Sequence, residues 1–171
     1  MDRNLGASQV ATAVNDELSF GDYYQWGNAN PAGTKTSTNG VWDTDGGNAS
    51  NLSWNGGTEA AQDDPSWNAT KGSQDPCPTG FRVPTVSEWR AEQDQGGTNE
   101  WGTGDTTTPF FSILKLPFAG YRHFNGIYHT VEGGYFYWNS TTVAADPTEA
   151  FARANYSYSR NHGFPIRCIK Q

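Results

Sequence analysis

The chain has few cysteines, and they are not arranged for chemistry. Cys77 and Cys168 are the only two, and they form no CxxC pair. A zinc cage or a thioredoxin-type redox site is therefore excluded. A long-range disulfide and two buried thiols both remain open.

Basic residues and long apolar runs are also scarce. Eleven Lys and Arg stand against eighteen Asp and Glu, for a net charge of -7, which repels a nucleic-acid backbone. We expect no nucleic-acid partner. No stretch approaches the roughly 20 apolar residues of a membrane span, and no signal-peptide run follows Met1–Asn4, so no export route is visible.

Aromatic residues, by contrast, are plentiful. They make up 14% of the 171 residues, and such rings bury large areas each. The length fits one domain. We therefore predict a single domain over residues 1–171, with a core built largely from rings.

Two helical elements are predicted. In Pro84–Trp89, Thr85 can cap a helix and Glu88 is its reciprocal partner in a capping box. This helix is predicted over Thr85 to Gln95, before Gly96–Gly97. A shorter element of one or two turns is predicted over Asp22–Trp26, after a possible cap at Ser19.

The rest of the chain reads as loops followed by strands. Asn28 to Gln74 is a long polar loop that we expect to be pinned by Trp42, Trp54 and Trp67. The last third alternates with period two, which predicts an antiparallel sheet and an α+β fold. The strand-like segments are Ile113–Phe118, Ile127–Val131, Tyr135–Ser140, Ala150–Tyr158 and Phe164–Ile169, with a hairpin signal at Glu132–Gly134.

Five ordered motifs carry a family resemblance across nearly the whole chain. They resemble the Fibrobacter major paralogous domain, a surface-protein family with a C-type-lectin-like fold related to the formylglycine-generating enzyme scaffold. The motifs are Met1–Ala7 (MDRNLGA), Tyr23–Gly27 (YYQWG), Asp75–Thr85 (DPCPTGFRVPT), Tyr137–Thr141 (YWNST) and Gly163–Ile169 (GFPIRCI).

A narrower likeness is added by Ala119–Arg122 (AGYR), the aromatic segment after it and the C-terminal motif. These resemble the variable proteins of diversity-generating retroelements, in which adenine-directed mutagenesis alters a surface built on the lectin-like fold. The resemblance implies a scaffold over residues 1–120 and a candidate variable region over 121–168. It also implies a Cys77–Cys168 disulfide and a location outside the cell, on a cell or virion surface.

The amino-acid composition of the candidate variable region fits two interpretations. Mutagenised AAC or AAT codons cannot give Lys, Gln, Glu, Met or Trp. From Tyr121 to Arg167 the forbidden set appears only as Trp138, Glu132 and Glu149. Diversification accounts for this composition, and so does a sheet that is simply short of charge.

The resemblance implies a set of ligand-contacting positions in this region. Tyr, His, Asn and Phe offer contact area and adaptable hydrogen bonding at low rotamer cost, as in antibody loops. Period two lets His129 share a face with Ile127, and Tyr156 with Tyr158, although Ile127 and Tyr158 fit the core equally well. The candidates are His123, Phe124, Asn125, Ile127, His129, Thr130, Phe136, Asn139, Tyr156, Tyr158, Asn161 and His162.

No metal and no cofactor are expected. The three histidines have no accompanying cysteine or carboxylate cluster, so we interpret them as scattered surface residues. Asp43–Asn48 resembles the start of a calcium loop without its closing Glu, which favours an Asx turn. Trp138–Ser140 lacks the acid that a calcium-bridged sugar site needs.

The sequence favours a binding protein over an enzyme. No nucleophile elbow, phosphate loop or HExxH helix is present. The leading hypothesis is a diversified surface on a lectin-like scaffold, binding a protein or glycan on another cell or virus. The alternatives are an invariant adhesin or carbohydrate-binding domain, and a divergent enzyme of the formylglycine-generating scaffold.

Overall fold

A computed structural model provides the structure of the protein, and it describes residues 1–31, 67, 70–93, 112–123, 128–129, 135–143, 146–153, 156–160 and 162–171. One α-helix, α1 (Val86–Gln93), and one 3₁₀ turn (Glu17–Ser19) lie in these ranges. The strands are β1 (Tyr24–Gln25), β2 (Phe81–Arg82), β3 (Tyr121–Arg122), β4 (Tyr128–His129), β5 (Thr142–Val143), β6 (Asp146–Arg153), β7 (Tyr156–Ser159), β8 (Gly163–Phe164) and β9 (Ile169–Lys170).

The described strands form three sheets, and every pairing is antiparallel. The largest sheet has the order β1-β8-β3-β4, a second pairs β2 with β9, and a third has the order β5-β6-β7. A helix set beside antiparallel sheets makes the fold α+β, as predicted. Two of the sheets join an early strand to a C-terminal one, so the sheet is not confined to the last third.

The predicted capping box opens α1. The Thr85 backbone N–H donates to Glu88 Oε2 at 2.8 Å, and the Glu88 N–H donates to Thr85 Oγ1 at 3.3 Å. Arg82 adds a bidentate ion pair to the same carboxylate. These bonds satisfy amide groups that a helix start leaves open, so helix α1 begins after Thr85, close to the predicted position.

The short helix predicted over Asp22–Trp26 is wrong. This segment contains strand β1, in which Tyr24 pairs with Phe164 and Gln25 with Gly163. Tyr23 through Trp26 are all buried. A surface helical turn would leave one side to solvent, whereas here both faces of the short strand are covered, although β1 lies at the edge of its sheet.

Prolines explain why two predicted strands differ in the structure. Side chains still alternate along Tyr135–Ser140, but two of its backbone amides donate to the Pro165 and Pro84 carbonyls. A proline has no N–H to donate in return, so a regular ladder of strand hydrogen bonds does not form there. Pro165 likewise divides the predicted Phe164–Ile169 strand into β8 and β9.

Two further strand predictions changed. The predicted Ala150–Tyr158 strand belongs to the β6 and β7 hairpin. Around Ile113 the chain makes a turn, and Lys115 adopts a φ of 49°. The residues of the predicted Glu132–Gly134 hairpin turn lie outside the described ranges.

Trp67 confirms the predicted anchoring of the long loop at one point. Its side chain is buried, and its Nε1 donates to the Gln74 carbonyl at 2.8 Å. The ring lies 5.4 Å from that of Trp26. Trp42, Trp54 and the loop at Asp43–Asn48 lie outside the described residues.

A disulfide joins Cys77 to Cys168 across 91 residues of sequence, with the two Cα atoms 5.9 Å apart. It fastens the segment before α1 to the segment before β9. Asp75 fixes the approach to it, since its carboxylate accepts the backbone N–H groups of Cys77 and Val83, each at 2.9 Å.

A second buried set of polar contacts ties the chain ends to the middle. Arg167 donates through Nε and one terminal nitrogen to Asn4 Oδ1, at 3.1 and 3.0 Å, and also to the Leu114 carbonyl. The Asn4 amide donates to the Tyr137 hydroxyl at 3.2 Å. Arg167 is thus a scaffold residue within the candidate variable region. We call Asn4, Asp75, Tyr137, Arg167 and the Cys77–Cys168 disulfide the buried frame.

Around the frame lie two hydrophobic clusters. The larger contains Trp26, Trp67, Trp138, Phe164 and both cysteines, and the smaller contains Trp89, Leu116, Tyr135 and Tyr137. A core dominated by rings was predicted from composition and is confirmed. Within the described ranges, no helix has the length and apolar character needed to cross a bilayer.

Candidate functional site

The described candidate positions differ widely in exposure. His129 is exposed, His123 and Tyr158 are half-buried, and Phe136, Asn139 and His162 are buried. The backbone of Tyr156 lies in β7. The remaining candidates, Phe124, Asn125, Ile127, Thr130 and Asn161, lie outside the described residues.

Tyr121, which was not among the candidates, organises those that come together. Strand pairing places Tyr121 directly opposite His129, and the two rings stack 5.3 Å apart with 15° between their planes. Tyr121 also contacts Phe136, Tyr158 and His162 at centroid distances of 5.8, 6.0 and 5.9 Å.

The pleat explains why these side chains share one side of the sheet. Tyr121 and His123 stand on either side of Arg122 and therefore point the same way. His162 and Phe164 flank Gly163 in the same manner. We call these rings the Tyr121 cluster: Tyr121, His123, His129, Phe136, Tyr158, His162 and Phe164.

The three histidines are not scattered, and that prediction is wrong. The His123 ring lies 4.9 Å from that of His162 and 5.6 Å from that of His129. They come from separate parts of the chain, which is why the sequence did not show their proximity. Among the described residues, no group of three or more His, Cys, Asp or Glu is arranged to hold a metal ion.

The cluster rests on a fixed base. Phe164 is fully buried and contacts Trp138 edge to face at 4.4 Å. Trp138 is held in turn by a 2.7 Å hydrogen bond from its Nε1 to the Tyr24 carbonyl. The hydrogen bond of Trp138 and the ring contacts of Phe164 therefore hold the half-exposed side chains of the cluster on a fixed support.

Phe136 and Asn139 need correction as contact positions. Phe136 is 9% exposed and packs on Tyr158 and Phe164. Asn139 has no exposed surface; its Oδ1 accepts the Thr141 N–H, and its carbonyl accepts the Trp26 indole N–H. Successive side chains along Tyr135–Ser140 point alternately into the smaller and the larger hydrophobic cluster. Both sets of side chains are therefore buried.

His162 is also buried, at 8% exposure. Its ring lies among His123, Tyr121, Tyr158 and Phe164. His162 therefore forms the floor beside the half-buried His123. A ligand would reach it only through its neighbours.

The opposite face of the same sheet is organised differently. The Tyr23 and Tyr128 hydroxyls both donate to the Ala119 carbonyl, and burial raises the pKa of Tyr23 far above its ordinary range. Arg122 is buried on this face, and the same desolvation lowers its pKa. On this side Tyr23 and Arg122 are buried and Tyr128 is half-buried.

Arg160 fixes the chain that leads from β7 into the cluster. Its guanidinium lies 4.2 Å from the Trp26 ring centroid, and its carbonyl accepts the Trp26 backbone N–H at 3.1 Å. A buried cation over an indole is a favourable arrangement. Arg160 therefore fixes the end of β7, two residues before His162.

A concavity lies between α1 and β9, away from the Tyr121 cluster, and is lined in part by Met1, Trp89, Leu114 and Cys168. Two of its charged residues already hold the fold together, because Glu88 is paired with Arg82 and Arg167 belongs to the buried frame. Hydrogen bonds from Arg82 and Thr85 lower the pKa of Glu88 to about 2. Glu88 is thus a firmly ionised structural group.

Tyr121, Phe164 and Arg160 were missed by sequence reasoning. The signal for Tyr121 was available in the alternation of Tyr121, Arg122 and His123, which puts the two rings on one face. Phe164 and Arg160 had no comparable signal, because their roles depend on Trp138 and Trp26, distant in sequence.

Comparison of the chain with family models, curated proteins and solved structures finds no match.

Proposed function

We propose that this chain is a non-enzymatic binding protein that contacts a protein or glycan on another cell or virus surface. It does so through the rim of the Tyr121 cluster, by which we mean the side chains of His123, His129 and Tyr158. The observation that carries the proposal is the juxtaposition of exposed His129, half-buried His123 and Tyr158, and the Tyr121 ring beneath them. Such rings combine contact area with hydrogen-bonding ends.

We also propose that the rim positions are the diversified ones and that the scaffold is C-type-lectin-like. This proposal is supported by the different interactions that hold the rim and the buried frame. The rim side chains make ring contacts, whereas the frame makes buried hydrogen bonds. The Cys77–Cys168 disulfide, between the approach to α1 and the last strand, supports the lectin-like scaffold. It also suits an oxidising location such as a cell or virion surface.

The non-enzymatic assignment rests on how two buried or half-buried carboxylates are used. Asp75 accepts two backbone N–H groups and pairs with Lys71, and Glu88 is held by Thr85 and Arg82. Both are structural acceptors. The pKa of Glu88 is lowered to about 2, so this carboxylate has no proton to exchange near neutral pH, as a general acid or base must.

Sequencing the gene across a natural population tests the proposal. We expect substitutions confined to residues 121–168 and concentrated at rim positions such as His123, His129 and Tyr158, through adenine-derived codons. Frame positions such as Asn4 and Arg167 should not change. Invariant rim positions would contradict diversification and favour a fixed adhesin, for which a glycan screen is the next step.

A further inference from the structure

Tyr121 is restrained by neighbours on both sides of its strand. Strand β3 lies between β8 and β4 in the sheet. The Tyr121 ring stacks on exposed His129 from β4 and on buried Phe164 from β8, in each case with the ring centroids 5.3 Å apart. An aromatic side chain has few rotatable bonds, and stacking restrains them further. The ring is therefore held in place before any ligand arrives.

The hydroxyl of Tyr121 takes no part in holding the fold. Within the part of the chain that the structure describes, it makes no hydrogen bond, and it is not among the buried polar atoms that lack one. The hydroxyls of Tyr23, Tyr128 and Tyr137, by contrast, each donate to a backbone carbonyl. Because the Tyr121 side chain is half-buried, its hydroxyl lies at the solvent-facing end of a fixed ring.

A fixed group inside a changing surface needs a ligand group that does not change either. The rim residues are proposed to differ from one variant to the next, so their contacts differ as well. The peptide carbonyl is a hydrogen-bond acceptor that every protein presents. The net charge of -7 disfavours acidic ligands, so a neutral carbonyl suits this surface better than a carboxylate.

We propose that Tyr121 is a fixed ligand contact beside the rim residues, and that its hydroxyl donates a hydrogen bond to a backbone carbonyl of a protein ligand. The inference rests on the proposed function, because it assigns one contact within the same surface. It also makes Tyr121 a constant position inside residues 121–168.

A displayed library of the full chain tests the inference. His123, His129 and Tyr158 are randomised, and positions 121 and 128 each carry Tyr or Phe in equal shares. One selection scores folding by protease resistance. A second scores binding to lysozyme, a basic protein that complements the negative charge of the chain. A third scores binding to dextran, a neutral polysaccharide without peptide carbonyls.

Tyr121→Phe removes the hydroxyl and keeps the ring. Folded clones should carry Tyr and Phe at position 121 equally, because the lost hydroxyl has no partner in the fold. Clones that bind lysozyme should favour Tyr by about 5- to 10-fold, as expected for one hydrogen bond.

Tyr128→Phe is the matched control on the opposite face of the sheet. It removes a hydroxyl that donates to the Ala119 carbonyl. Phe at position 128 should therefore be depleted among folded clones, because a hydrogen bond of the fold is lost. Among the folded clones, binding to lysozyme should show no further preference at this position.

Lysozyme-binding clones with Tyr and Phe equally frequent at position 121 would overturn the inference and leave the proposed function standing. A preference for Tyr of the same size among folded clones would make the hydroxyl structural and overturn it as well. Clones that bind dextran alone would contradict a peptide carbonyl as the acceptor. A library that yields no clones binding either target would contradict the proposed function itself, and this inference with it.

Discussion

The disulfide of the buried frame and the base of the Tyr121 cluster lie in the same hydrophobic cluster, but different forces hold the frame and the Tyr121 cluster. In the frame, Arg167 and Asn4 are joined by two hydrogen bonds away from solvent. In the cluster, Tyr121 and His129 stack at a half-open surface. Directional buried bonds require a particular residue, whereas ring contacts at a surface accept many. This chain can therefore change at the surface of the Tyr121 cluster more readily than in the frame without losing its fold.

Removing the disulfide should have the largest effect. In Cys77→Ala with Cys168→Ala, the unfolded chain regains the freedom of a loop spanning 91 residues. We expect the free energy of unfolding to fall by about 4 to 5 kcal/mol in the chain-entropy account. Guanidinium denaturation measures it. A loss below about 1 kcal/mol would show that the disulfide is not part of the frame's stability.

Breaking the polar frame should rank next. Asn4→Ala removes the acceptor of two hydrogen bonds from buried Arg167 and should cost about 3 kcal/mol, because a buried charge loses its partner. The matched control is Asn30→Ala at an exposed position, expected to change stability by less than about 0.5 kcal/mol. Equal effects in urea denaturation would contradict the distinction.

The capping box should contribute less, and in a pH-dependent way. Glu88 has a folded-state pKa of about 2, below its ordinary value of 4.5. Its contribution is therefore fully present above about pH 4.5 and is lost as the pH falls toward 2. Its side chain is 30% exposed, so Glu88→Gln should cost only about 1 to 2 kcal/mol at pH 7.

The pH profile tests this prediction independently of the absolute cost. The difference in unfolding free energy between the native chain and Glu88→Gln, measured from pH 7 to pH 2.5, should shrink as the medium becomes acid. A difference that stays constant over this range would mean that the Arg82–Glu88 pair does not stabilise the fold through the ionised carboxylate.

The smallest effect on stability is expected at the rim. His129→Ala removes an exposed ring and should change the free energy of unfolding by less than about 0.5 kcal/mol. Phe164→Leu, at the buried base of the same cluster, should cost more than about 1 kcal/mol. Thermal denaturation of both variants measures this contrast, and a large loss at His129 would make the rim part of the core.

The sequence predicted the elements whose signals are local. The Thr85–Glu88 capping box lies within four residues, and helix α1 follows it. The disulfide also agrees with the expectation that the family resemblance supplied. Asp22–Trp26 was predicted wrongly because its extended form depends on Phe164, which lies far along the chain.

The candidate site was predicted only in part, for the same reason. Period two correctly suggests that alternate residues share a face, which is how Tyr121 and His123 come together. It does not show which face is covered, so Phe136 and Asn139 were placed at the surface although they are buried. The meeting of His123 with His162 depends on strand order, which no local pattern specifies.

The most direct test of the central claim is a substitution scan scored for folding. Each residue of the frame and of the Tyr121 cluster rim is replaced by all others in a displayed library, and protease resistance reports which variants fold. We predict that His123, His129 and Tyr158 accept most substitutions, whereas Asn4, Arg167 and the cysteines accept few. Equal intolerance at the rim and in the frame would contradict a variable surface carried on a fixed scaffold.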